Sequence, residues 1–221
     1  MTTVRANVLC WIFIAITVAT AAILYPSLPE QIPTHWNIEG EVDDYTAKPW
    51  GVIILPLAAV FVFVIMKLIP VISPKGFRTD QFAGVLNIFM VVLVGFTSGV
   101  GLLVLLEASG RNVYINEMIF AGVGLLLIVI GNYLGKLRKN FFLGIRTPWT
   151  LASDEVWSRT HRLGGWIFVL IGFFLFLQAF IRFSVQWVVG AIVVVALVPI
   201  IYSYVLYRKI EGFTDENTGD E

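Results

Sequence analysis

"WGVIILPLAAVFVFVIMKLIP", residues 50–70, carries a single charge in 21 positions. A hydrocarbon core of about 30 Å is crossed by about 20 apolar residues in a helix, so this stretch reads as a membrane span. Lys67 lies one turn from its end, where the flexible stem can lift the ammonium to the headgroups. Working outward, five more runs reach a similar length: 6–25, 82–106, 116–135, 165–182 and 185–207. The expected fold is all-α, a polytopic integral membrane protein of six transmembrane helices forming a single domain over 1–221. Pro56 and Pro199 fall inside spans, where neighbouring helices can re-satisfy the freed carbonyls, and kinks are expected there.

Composition agrees. The chain is 58% hydrophobic and 14% charged, with a mean hydropathy of +0.85, whereas a soluble domain is about 45–50% apolar and about 25% charged. The lone cysteine, Cys10, excludes an intrachain disulfide, a Cys-x-x-Cys redox pair and a thiolate metal cluster. The first run has an Ala19-Thr20-Ala21 resembling a cleavage site, but its apolar stretch continues to Tyr25 and reads as an uncleaved anchor. With a cytoplasmic N-terminus, the inner segments hold twelve of the fifteen Lys and Arg residues and the outer segments hold Lys48, Arg111 and Arg182. The positive-inside rule then places both termini in the cytoplasm, with an acidic, disordered tail from 211 to 221. The two halves show no internal repeat of the kind many transporters carry.

On that topology, "LPEQIPTHWNIEGEVDDY" (28–45) belongs to an outer loop, 26–49. Pro26, Pro29 and Pro33 fix three φ angles and remove three donors, so Tyr25 to Thr34 is expected to be extended. His35-Trp36-Asn37 follow, able to stack and to hydrogen-bond. Gly40 permits a turn before Asp43, Asp44 and Tyr45. The loop reads equally as a lid anchored by Trp36 or as a recognition surface. Four of its five acids lie between Glu39 and Asp44, which suits a cationic partner. His35 and Glu39 are four apart, but neither calcium-loop spacing nor a set of zinc ligands is present, so no metal or other cofactor is expected.

The inner loop, 136–164, opens with Lys136, Arg138 and Lys139, which suit anionic headgroups and lack any nucleic-acid reading motif. Gly144-Ile145-Arg146-Thr147-Pro148-Trp149 forces a turn. Ser153 then caps a short amphipathic helix with Asp154 and Glu155 in its first turn, expected to end at Gly164-Gly165. On it Trp157 and His161 share a face and stack, and Arg146 is expected to clamp the turn through a bidentate pair with Asp154 or Glu155. Asp154, Ser158 and His161 draw a triad on paper, yet one short helix is the wrong geometry for it, and no G-x-S-x-G turn or H-E-x-x-H occurs. His161 reads instead as a hydrogen-bonding partner for the loop's own backbone or for a bound partner.

These two stretches resemble the SdpI family of membrane immunity proteins. The proline-spaced start, His-aromatic-Asn core and glycine turn of 28–45 are similar to that family's extracytoplasmic motif. "GNYLGKLRKNFFLGIRTPWTLASDEVWSRTHRLGG" (131–165) is similar to its second signature. The resemblance implies a non-enzymatic protein of the bacterial cell membrane that protects against a secreted, membrane-active peptide toxin. Some such proteins also report the toxin to a cytoplasmic repressor. It makes Pro33, His35, Trp36, Asn37, Gly40, Asp43 and Asp44 candidate ligand contacts. Asn140, Gly144, Arg146, Thr147, Pro148, Trp149, Trp157, Thr160 and His161 become candidates for partner binding or for holding the loop. Two readings compete: a transporter of a small amphipathic substrate, which needs Asn87, Asn132 and Gln178 to converge in mid-membrane, and a membrane-embedded hydrolase. Gly95-x-x-x-Gly99 and Gly131-x-x-x-Gly135 permit close helix approach, expected within one chain.

Overall fold

The computed structural model describes residues 1–37, 41–75, 77, 79–181 and 185–212. Among these, six helices are long and apolar enough to cross a membrane. They are α1 (Thr3–Leu24), α2 (Lys48–Ile72), α3 (Ala83–Ala108), α4 (Ile115–Leu134), α6 (Asp154–Ile181) and α7 (Val185–Ile210), with a short α5 (Pro148–Ala152) between α4 and α6. Helices α2 and α7 run on through Pro56 and Pro199. Glu211 and Gly212 fold back onto the Tyr207 carbonyl, and the acidic tail beyond lies outside the described residues.

The loop between α1 and α2 departs from the expectation of plain extended chain. Tyr25–Ser27 form one 3-10 turn, because Pro26 sits at its start, where a missing N–H costs nothing. The chain then pairs with itself: β1 (Gln31–Trp36) and β2 (Val42–Ala47) make an antiparallel hairpin with Ile32 opposite Thr46 and His35 opposite Asp44. Register shifts flank His35, so the ladder is irregular where the side chains of interest sit. Ile32 is fully buried on a small core with Leu28, Val52 and Val104. Gly51 of α2 lets it dock, since a Cβ there would lie 2.7 Å from the Ile32 Cβ. Lys48 closes the seam: its ammonium donates to the Leu28 carbonyl at 3.0 Å and lies 4.8 Å over the Tyr25 ring. The hairpin is thus fixed to the helix ends.

At the other end, called here the basic end, Trp157 joins a larger core from α1, α2, α3 and α4. Helices α4 and α6 meet backbone to backbone. A Cβ at Gly124 would lie 2.5 Å from the Phe176 nitrogen, and one at Gly172 would lie 2.7 Å from the Gly124 carbonyl oxygen. The pattern repeats one heptad away, where Gly131 and Gly165 each place their Cβ position 2.7 Å from the other's carbonyl oxygen. Small residues that let helices approach this closely supply the packing that apolar burial cannot supply in lipid. The expected end of the amphipathic helix at Gly164-Gly165 is therefore wrong: α6 is one helix through both glycines, which exist to face α4 and Ile145. Gly99 serves no such purpose, because nothing lies within 4 Å of a Cβ built on it.

Candidate functional site

The hairpin overhangs a cavity of about 680 Å³. Thr34, His35, Trp36 and Asn37 of β1 and its turn form one wall, Asn116, Glu117 and Phe120 of α4 the facing wall, and Gln178 of α6 the third. Each hairpin side chain is oriented by a neighbour. The His35 Nδ1 meets Asp43 Oδ1 at 2.5 Å across the strands, Asn37 Oδ1 accepts from the Glu41 amide at 2.8 Å, and Asp44 Oδ1 accepts from the Tyr45 amide at 2.8 Å. Pro33 is buried beneath them, opposite Tyr45. Glu41, Asp43 and Asp44 are exposed, so the rim is acidic. Gly40 lies outside the described residues.

Below, the cavity shares Val100 and Ile119 with an apolar groove of about 480 Å³ between α3 and α4. Gly95, Gly99 and Gly122 line that groove together with Phe96 and Met118. A chamber with polar side chains on its walls therefore adjoins an apolar groove, an arrangement matched to an amphipathic ligand. Sequence reading missed Asn116 and Glu117. Their signal was position, the first turn of a span starting on the same face as the hairpin.

The basic-end loop is built as a knot. Asn140 is fully buried and uses its whole amide, donating to the Arg138 and Leu143 carbonyls and accepting from the Phe142 and Leu143 amides. Gly144 takes φ +101°, a conformation that favours glycine, and any Cβ on it would strike the His161 ring. His161 Nε2 accepts from the Ile145 amide at 2.9 Å, while Nδ1 donates to the Trp157 carbonyl at 2.8 Å, which fixes a neutral ring with its proton on Nδ1. The ring stacks on Trp157 at 3.9 Å between centroids, and the indole N–H donates to the Leu137 carbonyl. Both imidazole nitrogens are engaged by main chain, so neither is free to take a proton from Ser158.

Thr147 caps α5 in a reciprocal box with Thr150, with Pro148 at the first helical position. The expected turn before Pro148 lies at Gly144, and this helix start follows it. Thr147 also bonds Ser203 at 3.0 Å and Trp149 packs edge-on against Tyr204, which ties the loop to α7. Thr160 is buried, and its hydroxyl makes no hydrogen bond among the described residues. The expected Arg146 clamp is not formed. Its guanidinium donates to the Phe141 carbonyl, while Asp154 pairs with Lys139 at 2.7 Å and Glu155 with Arg159 at 2.5 Å. Lys139 lies nearer because the Asn140 knot turns the chain back over the α6 N-terminus. The polar residues a transporter would need do not converge either. Asn87 binds Thr3 and the Met1 carbonyl at the basic end, Asn132 lies near that end, and Gln178 lines the hairpin cavity.

These features define a multi-pass membrane protein with a fixed hairpin over a cavity at one end and a knotted basic loop at the other. Residues 136–203, from the loop to α7, match the SdpI/YfhL protein family, and residues 12–60, which contain the hairpin, match a domain of unknown function (DUF1648). The chain is 26% identical over 212 residues to the immunity protein SdpI of Bacillus subtilis (strain 168), covering 94% of this chain and 99% of that protein. No solved structure matches it significantly. Over these segments the chain is similar to SdpI-family proteins, and its six long apolar helices make it a multi-pass membrane protein.

Proposed function

We propose that the protein confers immunity to a secreted peptide by engaging it at the hairpin cavity, without catalysis, with the hairpin facing outward. The observation that carries this reading is that the chamber under His35, Trp36 and Asn37 adjoins the apolar groove, Val100 and Ile119 lining both. A cationic or polar terminus meets the acidic rim while an apolar segment enters the groove from the bilayer. The relative's name, an immunity protein, supports the biological role. Helix α6 carries Gln178 at the cavity and Trp157 and His161 at the knot. That single rigid element gives a route by which occupancy reaches the cytoplasmic loop and a regulator held there.

The test is survival of a deletion strain challenged with the peptide, complemented with wild type, His35→Ala or Trp36→Ala at matched membrane levels. Truncating an aromatic anchor costs about 2 kcal/mol or more, roughly a thirtyfold loss of affinity. Both variants are expected to lose protection. Full protection by both would reduce the hairpin to a lid.

A further inference from the structure

At the basic end a second groove, of about 260 Å³, runs between α4 and α6. Its floor is main chain: Gly131 and Gly165 touch across the helix interface, and Gly135 has only ordinary contact, 3.6 Å from its Cβ position to the Arg162 Cα. Its rim is basic, formed by Lys136 and Arg162, and among the described residues no carboxylate lines it. The nearby cations are neutralised differently. Lys139 and Arg159 are held by Asp154 and Glu155, whereas the ion pairs of the described residues include neither Lys136 nor Arg162. The Lys136 ammonium sits over the Tyr133 ring at 4.4 Å, and Lys136 also borders a neighbouring chamber that holds Asp154.

Depth is marked as well. Arg162 and Trp166 are one turn apart, and Trp166 is 67% exposed, the disposition of an indole at headgroup level. One turn below Lys136, Asn132 faces outward. Its Nδ2 donates to the Ile128 carbonyl and its amide lines the groove, where a purely hydrocarbon neighbour would leave its oxygen and second N–H unmatched.

We propose that this groove binds an anionic phospholipid, its phosphate between Lys136 and Arg162, its ester region at Asn132 and an acyl chain along the glycine floor beside Trp166. A free phosphate would satisfy the cations but leave Asn132 and the apolar floor uncovered, so the lipid is the occupant that uses the whole groove. The site is independent of the hairpin cavity and of any peptide.

The full-length protein in a neutral detergent is tested with phosphatidylglycerol, phosphatidylcholine and inorganic phosphate, by counting retained lipid in native mass spectrometry and by the shift in melting temperature. Wild type is expected to retain phosphatidylglycerol over phosphatidylcholine by roughly thirtyfold, two basic residues contributing about 1 kcal/mol each at an anionic surface. K136Q/R162Q is expected to lose that preference. G135L, which fills the groove while keeping both cations, is expected to lose it too. K139Q/R159Q, with the same change in charge, is expected to keep it. The lipid-free melting temperature of each variant reports its fold, and G135L carries the test if the double variant is unstable. The proposal is overturned if K139Q/R159Q loses the preference equally, if wild type shows none, if G135L retains it, or if inorganic phosphate displaces the lipid.

Discussion

His161 shows how little room one side chain has here. Its two nitrogens and one ring face are committed to Ile145, Trp157 and the Trp157 indole. His161→Ala strands the Ile145 amide and removes a stacked ring, which together cost about 2–4 kcal/mol. Gly144→Ala attacks the same point from the other side, through strain at φ +101° and collision with the ring. Both variants are expected to melt well below wild type in detergent and to accumulate poorly in membranes. By contrast, Lys139→Gln removes a pair whose Asp154 side chain is 83% exposed. That change is expected to cost less than about 1 kcal/mol. Arg146→Lys keeps a donor for the Phe141 carbonyl but loses the planar fork, and a small drop in melting temperature is expected. The sequence pointed to His161 as a partner of the loop's own backbone, but to Asn140 and Gly144 without what they hold. Their partners are main-chain groups, which leave no trace in residue identity, whereas the Arg146 clamp was inferred from nearby charges and failed because the knot presents Lys139 instead.

At the scale of elements, the spans were legible because lipid demands length and apolarity, and both are written plainly in the chain. The hairpin was not. Its strands contain Pro33 and lack clean alternation, and burial of Ile32 rather than a two-residue period sets the pairing. The continuity of α6 was hidden for a similar reason: Gly164-Gly165 looks like a stop until the backbone of α4 is placed against it. The seam itself has a heptad spacing, Gly124 and Gly131 against Gly165 and Gly172. Gly172→Leu would drive a side chain into the α4 backbone and is expected to abolish accumulation of folded protein, read by size-exclusion chromatography. Gly99→Leu enters open space and is expected to fold normally while filling the apolar groove, and so to lower protection in the survival assay.

For the whole molecule, the two ends are chemically distinct, an acidic-rimmed cavity and a basic knot joined by α6. That they face opposite sides of the membrane, acidic end outward, is the expectation from the distribution of Lys and Arg, and thiol labelling tests it. In a Cys10→Ser background, cysteines at Glu41 and Asn112 are expected to react with an impermeant thiol reagent on intact cells, and ones at Lys75 and Lys139 only after lysis. Neutralising Asp43 and Asp44 is expected to slow peptide association in a salt-sensitive way, since exposed charges mainly steer encounter. The central claim is that the hairpin cavity itself takes the peptide. Its most direct test is the equilibrium affinity of the purified full-length protein in nanodiscs for the peptide that kills the deletion strain, with wild type beside Trp36→Ala and Gly99→Leu. The account predicts saturable binding by wild type and a loss of roughly thirtyfold for Trp36→Ala, with Gly99→Leu weakened as well. Equal affinity in all three proteins would contradict it.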